Sequence, residues 1–131
     1  MLALEWLKRW ENLINATDYG NARQLFSPDV IGFGTVAGTT QGIEQLETMQ
    51  WRKVWPTIRN FVFDAPLIRY PHHENPGLVV IAATWHSDGR SGEGGWYARR
   101  GRATAILENN GNAFLCIHTH FSMEPGIPAL F

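Results

Sequence analysis

The chain has 131 residues, is 44% hydrophobic and 12% aromatic, and carries 11 Lys plus Arg against 12 Asp plus Glu, a formal charge of −1. That length buries one sizeable core and is too short for two ordinary domains, so a single domain over residues 1–131 is expected. The near-neutral balance lacks the basic excess that phosphate-backbone binding requires, so no nucleic-acid partner is expected, and with no apolar run approaching membrane-spanning length no membrane partner is either.

Taken in chain order, the start MLALEWLKRWENL carries Glu5, Lys8, Arg9 and Glu11, which interrupt any apolar leader core and point to a cytoplasmic protein. Trp6, Leu7, Trp10, Leu13 and Ile14 recur at helical spacing, which predicts an amphipathic first helix. A short second helix is expected after Asp18, a plausible cap, through Ala22, Leu25 and Phe26, with Pro28 ending it. VIGFGTVAG, residues 30–38, is β-branched and aromatic and predicts a strand; TTQG then opens a helix from about Ile43 to Trp55, stopped by Pro56, with Trp51 and Trp55 on one face. Four strand-like segments follow: IRNFVFDAPLIRY, LVVIAATWH, WYARRGRATAILE and AFLCIHTHFS. The separators PHHENPG, SDGRSGEGG and NNGN have turn chemistry. Helices ahead of an antiparallel meander predict an α+β fold, N-terminal helices packed on a curved, mainly antiparallel sheet.

Near the end of that meander, CIHTHFS sets two imidazoles two residues apart. Strand alternation places Phe114, Cys116, His118, His120 and Ser122 on one face, with Leu115, Ile117, Thr119 and Phe121 on the other. A two-residue turn at Asn110-Gly111 would set Ala105 opposite Cys116, Ala103 opposite His118 and Gly101 opposite His120, with Arg99 and Tyr97 continuing that face. Small residues opposite both histidines leave room for a pocket. The candidate ligand-binding residues are His118, His120, Arg99, Tyr97 and Cys116, with Trp10, Trp55 and Trp85 as apolar lining. Three readings of the histidines stand side by side: hydrogen-bonded structural residues, contacts to a small organic ligand, or a metal pair. His118-x-His120-x-x-x-Glu124 has the spacing with which cupins begin a metal site, but a helical start does not suit their all-β barrel, and no metal is expected. His72-His73-Glu74 reads as a solvated turn. An inward Arg99 needs an anion, either an acidic side chain or a ligand carboxylate. The outward face, with Leu115, Ile117 and Phe121, is too apolar for water and suits a homodimer contact.

The closing segment GRATAILENNGNAFLCIHTHFSMEPGIP resembles the last hairpin of SnoaL-like domains and of the association domain of calmodulin-dependent protein kinase II, in which a Gly-Arg-x-Thr strand leads through a turn to His-x-His-x-Ser. The helical half, LKRWENLINATDYGNARQLFSPDVIGFG, matches the same group more loosely. The chain is thus similar to the nuclear transport factor 2-like superfamily, which includes ketosteroid isomerase, and the resemblance implies that superfamily's cone-shaped fold. It also implies a test of chemistry: the isomerase base falls at Gly34 and its donor tyrosine at Trp10, so both roles are empty and that activity is not expected. A histidine acid/base of lyase, isomerase or cyclase type remains open, as does a binding protein without catalysis. The alternative is an oligomerisation or partner-binding module with structural histidines. Cys116 reads as inert packing, and SGEGG lacks the Gly-Lys-Ser/Thr ending of a phosphate loop, so no cofactor is expected.

Overall fold

The computed structural model describes residues 2–71 and 77–126, so the His72-His73-Glu74 reading lies outside the described residues. Helix α1 (Ala3–Asn15) turns Trp6, Leu7, Trp10 and Ile14 inward, as its periodicity predicts. Asp18 caps α2 (Tyr19–Arg23), its Oδ1 accepting from the Asn21 N–H at 3.2 Å. That helix ends before Leu25, because Phe26 already opens strand β1 (Phe26–Phe33). Pro28 therefore sits inside a strand instead of ending a helix. It falls in the irregular stretch where β1 slips against its neighbour, where a missing N–H costs no ladder bond.

Strand β2 (Thr39–Gln41) leads into a helical run assembled from α3 (Ile43–Leu46), a π-helical turn (Glu47–Trp51), α4 (Arg52–Val54) and a 3₁₀ turn (Trp55–Thr57). Pro56 lies in the 3₁₀ turn, and the expected pair Trp51 and Trp55 stacks with ring centroids 4.6 Å apart. Four long strands complete the fold: β3 (Ile58–Arg69), β4 (Leu78–Arg90), β5 (Trp96–Asn109) and β6 (Phe114–Met123).

The six strands form one curved sheet in the order β2-β1-β6-β5-β4-β3, antiparallel except where β1 runs parallel to β6. Two irregularities in β3, at positive-φ Asn60 and Ala65, bend that edge strand. α1 then closes the edge with side chains: Glu11 Oε1 accepts from Phe63 N at 2.8 Å, while Asn15 both accepts from Phe61 N and donates to Phe61 O, each at 2.8 Å. Odd-numbered residues of β4 and β5 face the helices, so Val79, Ile81, Trp85, Ala103, Ala105 and Leu107 join the helical tryptophans in one core. Truncating a fully buried aromatic such as Trp10 there would cost about 3–5 kcal/mol. Among the described residues, no helix is long and apolar enough to cross a membrane.

Candidate functional site

The β5–β6 turn spans more residues than expected. Asn110 N–H donates to Ala113 O at 3.1 Å, and Asn110 Oδ1 accepts from Asn112 N and Ala113 N, with Gly111 at φ 103°. Asn109 consequently pairs with Phe114, not Asn112. A second slip follows at Ile117: Leu107 pairs with Cys116, but Ile106 pairs with His118. The turn alone, a shift of two, would preserve the faces; the single-residue bulge reverses them. Phe114 and Cys116 point into the core, and beyond the bulge Thr119 and Phe121 do so instead of the histidines.

The expectation that His118 and His120 floor the pocket is therefore corrected, since both lie on the outer sheet face. His118 Nδ1 donates to the Ile31 carbonyl at 2.8 Å, and Phe33 stands edge-on to both imidazoles at 5.3 Å. His120 borders a shallow open depression of that face with Thr84, Arg102, Thr104 and Ser122, about 460 Å³ in volume. Phe121, expected outside as a dimer contact, packs inside with its ring 5.4 Å from Trp10. Leu115 stays outward and half-buried, opposite exposed Glu108, and Ile117 falls with His118 between inward Cys116 and inward Thr119.

The inner face keeps a crevice between the helices and the sheet. Trp10, Trp55, Trp85 and Arg99 line it, together with Phe61, Thr119, Phe121 and the Gly34–Thr35 corner. Water-sized bodies can occupy only about 30 Å³ of it, within about 490 Å³ of empty space that runs out to the mouth. The enclosed part holds little more than one water. Aromatic rings fill the bottom: Phe121 has the rings of Phe61, Phe63 and Trp85 within 6.2 Å.

Among the described residues, two polar atoms in this wall have no hydrogen-bond acceptor, the indole N–H groups of Trp10 and Trp85. Buried donors are nearly always satisfied, so each invites an acceptor from water or ligand. Among the described residues, Arg99 is the charged group of the lining. Its guanidinium lies 5.2 Å from the centre of the Trp85 ring and donates weakly to Ser87 Oγ at 3.4 Å; among the described residues no carboxylate pairs with it. Burial pushes its pKa below the ordinary arginine value, opposed by neighbouring Tyr97, and the group remains a cation at neutral pH. Tyr97 is half-exposed beside it, and Gly89 makes both placements feasible: a Cβ there would meet the Arg99 stem and the Tyr97 ring.

Gly34 and Trp10 both line the crevice, and at Gly34 there is no room for a side chain. A Cβ at Gly34 would run into the Gln50 side chain, whose Oε1 accepts from Val36 N at 3.0 Å and Ala37 N at 2.8 Å while its Nε2 donates to Thr35. Gln50 thus holds the corner of the mouth from the π-helical turn, a geometry frequent at functional sites. Cys116 is fully buried, and burial pushes its thiol far above the ordinary value, with Sγ donating to His118 O at 3.2 Å across the bulge. It does not line the crevice. Sequence reading missed Thr119, Phe121, Ser87 and Gln50 as lining or support. Alternation from inward Arg99 through its partner strand would have found Ser87, but nothing local signals the bulge that turns Thr119 and Phe121 inward.

Among the described residues, no group of three or more His, Cys, Asp or Glu side chains gathers to hold a metal. No protein-family profile matches the chain, and no curated protein matches it significantly. Solved structures do match. A nuclear transport factor 2-like superfamily protein from Salmonella enterica superposes with a TM-score of 0.77 at 21% identity, covering 95% of this chain and 90% of that one. A ketosteroid isomerase-like protein from Erwinia carotovora atroseptica gives 0.74 at 10% identity, covering 93% of each chain. The association domain of calcium/calmodulin-dependent protein kinase II from C. elegans gives 0.71 at 13% identity, covering 91% of each. The chain shares their α+β cone.

Proposed function

We propose that this chain binds a compact apolar molecule carrying an anionic or acceptor-rich end, with Arg99 holding that end at the mouth of the crevice. The observation that carries the reading is a half-buried guanidinium without a carboxylate among the described residues, set beside two buried indole N–H donors that lack acceptors. Arg99 and both indoles are donors, so the acceptor-bearing end of a ligand suits them. Among the described residues no carboxylate or imidazole lines the crevice, which favours binding over proton transfer there. The narrow interior selects a small or flat ligand lying in the mouth against Trp55, Phe61 and Trp85.

Calorimetry with benzoate, naphthoate and their neutral amides tests this. Arg99→Met should weaken the carboxylates at least tenfold and the amides little; equal loss for both, or none, would defeat it.

A second reading, assembly into a homodimer, is favoured by the outer sheet face. Ile31 and Phe33 are 47% and 39% exposed there, beside half-buried Leu115, Ile117, Ile106 and Val80. The two readings use opposite faces of one sheet and are compatible. Ile117→Glu would bury an unpaired carboxylate and should dissociate the dimer in sedimentation, whereas a dimer unaffected by it would move the contact elsewhere.

A further inference from the structure

The outer depression of about 460 Å³ lies across the sheet from Arg99, beside the irregularity of β3 at Ala65. Its walls differ in character. On one rung of the sheet Leu67, Ala82, Thr104 and His120 stand side by side, and on the next outward rung Thr84, Arg102 and Ser122 do so. Strands lie about 4.8 Å apart and alternate residues about 7 Å apart along a strand, so Arg102, Ser122, Thr104 and His120 mark the corners of a rectangle of roughly 5 by 7 Å. Each of the four can donate a hydrogen bond, and among the described residues none of these side chains has a hydrogen-bond or ion-pair partner. The nearby carboxylates leave the cation uncompensated. Asp64, two strands from Arg102 on its rung, is held by His86 Nδ1 at 2.8 Å, and Glu124, whose N–H donates to Arg100 O one rung further on, forms no ion pair with either arginine. The opposite wall is apolar: Ala65, Ala82 and Leu67, the last 57% exposed.

We infer that this depression binds a phosphate monoester of a small apolar group, the phosphoryl oxygens among the four donors and the apolar group against Leu67 and Ala82. A monoester offers three acceptor oxygens and close to two negative charges, and charge-assisted hydrogen bonds of about 2.7–2.9 Å let a tetrahedral group that size reach donors at the corners of such a rectangle. A planar carboxylate has two oxygens and one charge and engages fewer of them. The site therefore differs in ligand class from the crevice, uses none of its residues, and stands independently of the Arg99 reading.

Calorimetry on the full chain with phenyl phosphate, inorganic phosphate, phenol and benzoate tests the site, with the His120 ring signals in NMR reporting where the ligand sits. Phenyl phosphate should bind at least tenfold more tightly than the other three and shift the His120 ring. Arg102→Met should weaken it at least tenfold, Arg102→Lys should recover part of the loss by keeping the charge, and Thr104→Val should weaken it measurably. Arg100→Met is the control: it removes an equal charge from an exposed arginine outside the depression and should change little. Thermal melts verify that these surface variants fold. Equal losses in Arg100→Met and Arg102→Met would mean diffuse attraction and overturn the site. Loss in Arg99→Met with Arg102→Met unaffected would overturn it by placing the phosphate in the crevice, and inorganic phosphate binding as tightly as phenyl phosphate would overturn the ester. No binding either to wild type or to Ile117→Glu, whose outer face no dimer covers, overturns the inference outright.

Discussion

Gly101 is the position where fold and crevice depend on one missing methyl group. Trp85 sits directly across from it on β4, and a Cβ at Gly101 would overlap two atoms of the Trp85 ring and the Ser122 carbonyl oxygen on β6. The ring has no free rotamer to escape into, because Phe61 stacks on it at 5.5 Å and Phe121 lies at 6.2 Å, and the backbone oxygen moves only if the strand moves. Gly101→Ala therefore overpacks a filled site, which costs about 1–3 kcal/mol. At this chain length each kcal/mol lowers Tm by roughly 3–5 °C, so the melt should fall by about 3–15 °C, with an altered tryptophan emission as Trp85 shifts. Gly20→Ala is the internal control. Gly20 lies in α2 with nothing within 4 Å of an added Cβ, so gaining helix propensity should stabilise by about 0.5–1 kcal/mol. A Gly101→Ala protein as stable as wild type, with unchanged emission, would refute the reasoning that this glycine exists to seat Trp85.

Other outcomes follow from single contacts. Cys116, buried and raised far above its ordinary pKa, should resist thiol reagents at pH 8 until the protein unfolds; rapid labelling of native protein would contradict its placement. Glu11→Ala strands the Phe63 N–H at the closed sheet edge and should cost about 1–3 kcal/mol in denaturant unfolding. Glu11→Gln keeps an acceptor and should recover most of that loss, and no difference between the two variants would mean the hydrogen bond contributes nothing.

The elements were legible because their signals are local. The helical spacing of Trp6, Trp10 and Ile14, the shared face of Trp51 and Trp55, and the four strand segments appear where the sequence puts them, although β4 runs on through Ser87–Arg90, which read as turn. Strand parity also placed Arg99 inward; by the same alternation Asp64 lies on the outer face, where it meets His86 Nδ1 at 2.8 Å. What parity missed is the bulge at Ile117. It is imposed by tertiary pairing: β1 runs parallel to β6, Leu25 O accepts from Cys116 N at 2.9 Å, and Ile31 O accepts from His118 Nδ1 at 2.8 Å. None of those partners is near in sequence, so the period-2 pattern continued on paper through a residue where the chain slips by one. The candidate pocket changed accordingly. Its aromatic wall and its arginine were readable from helix and strand periodicity, whereas the exchange of two histidines for Thr119 and Phe121 depended on that single slip.

The central claim is that the crevice takes an acceptor-bearing ligand against Arg99 and the two unpaired indoles, and the indole N–H region of a ¹⁵N NMR spectrum reads it directly. Adding naphthoate should shift the Trp10 and Trp85 indole signals of the wild type while leaving that of Trp6, whose N–H already donates to Leu25 O at 3.2 Å. In Arg99→Met the same shifts should require at least tenfold more naphthoate. Shifts confined to the outer face around His118 and His120, or identical shifts with and without Arg99, would contradict the account.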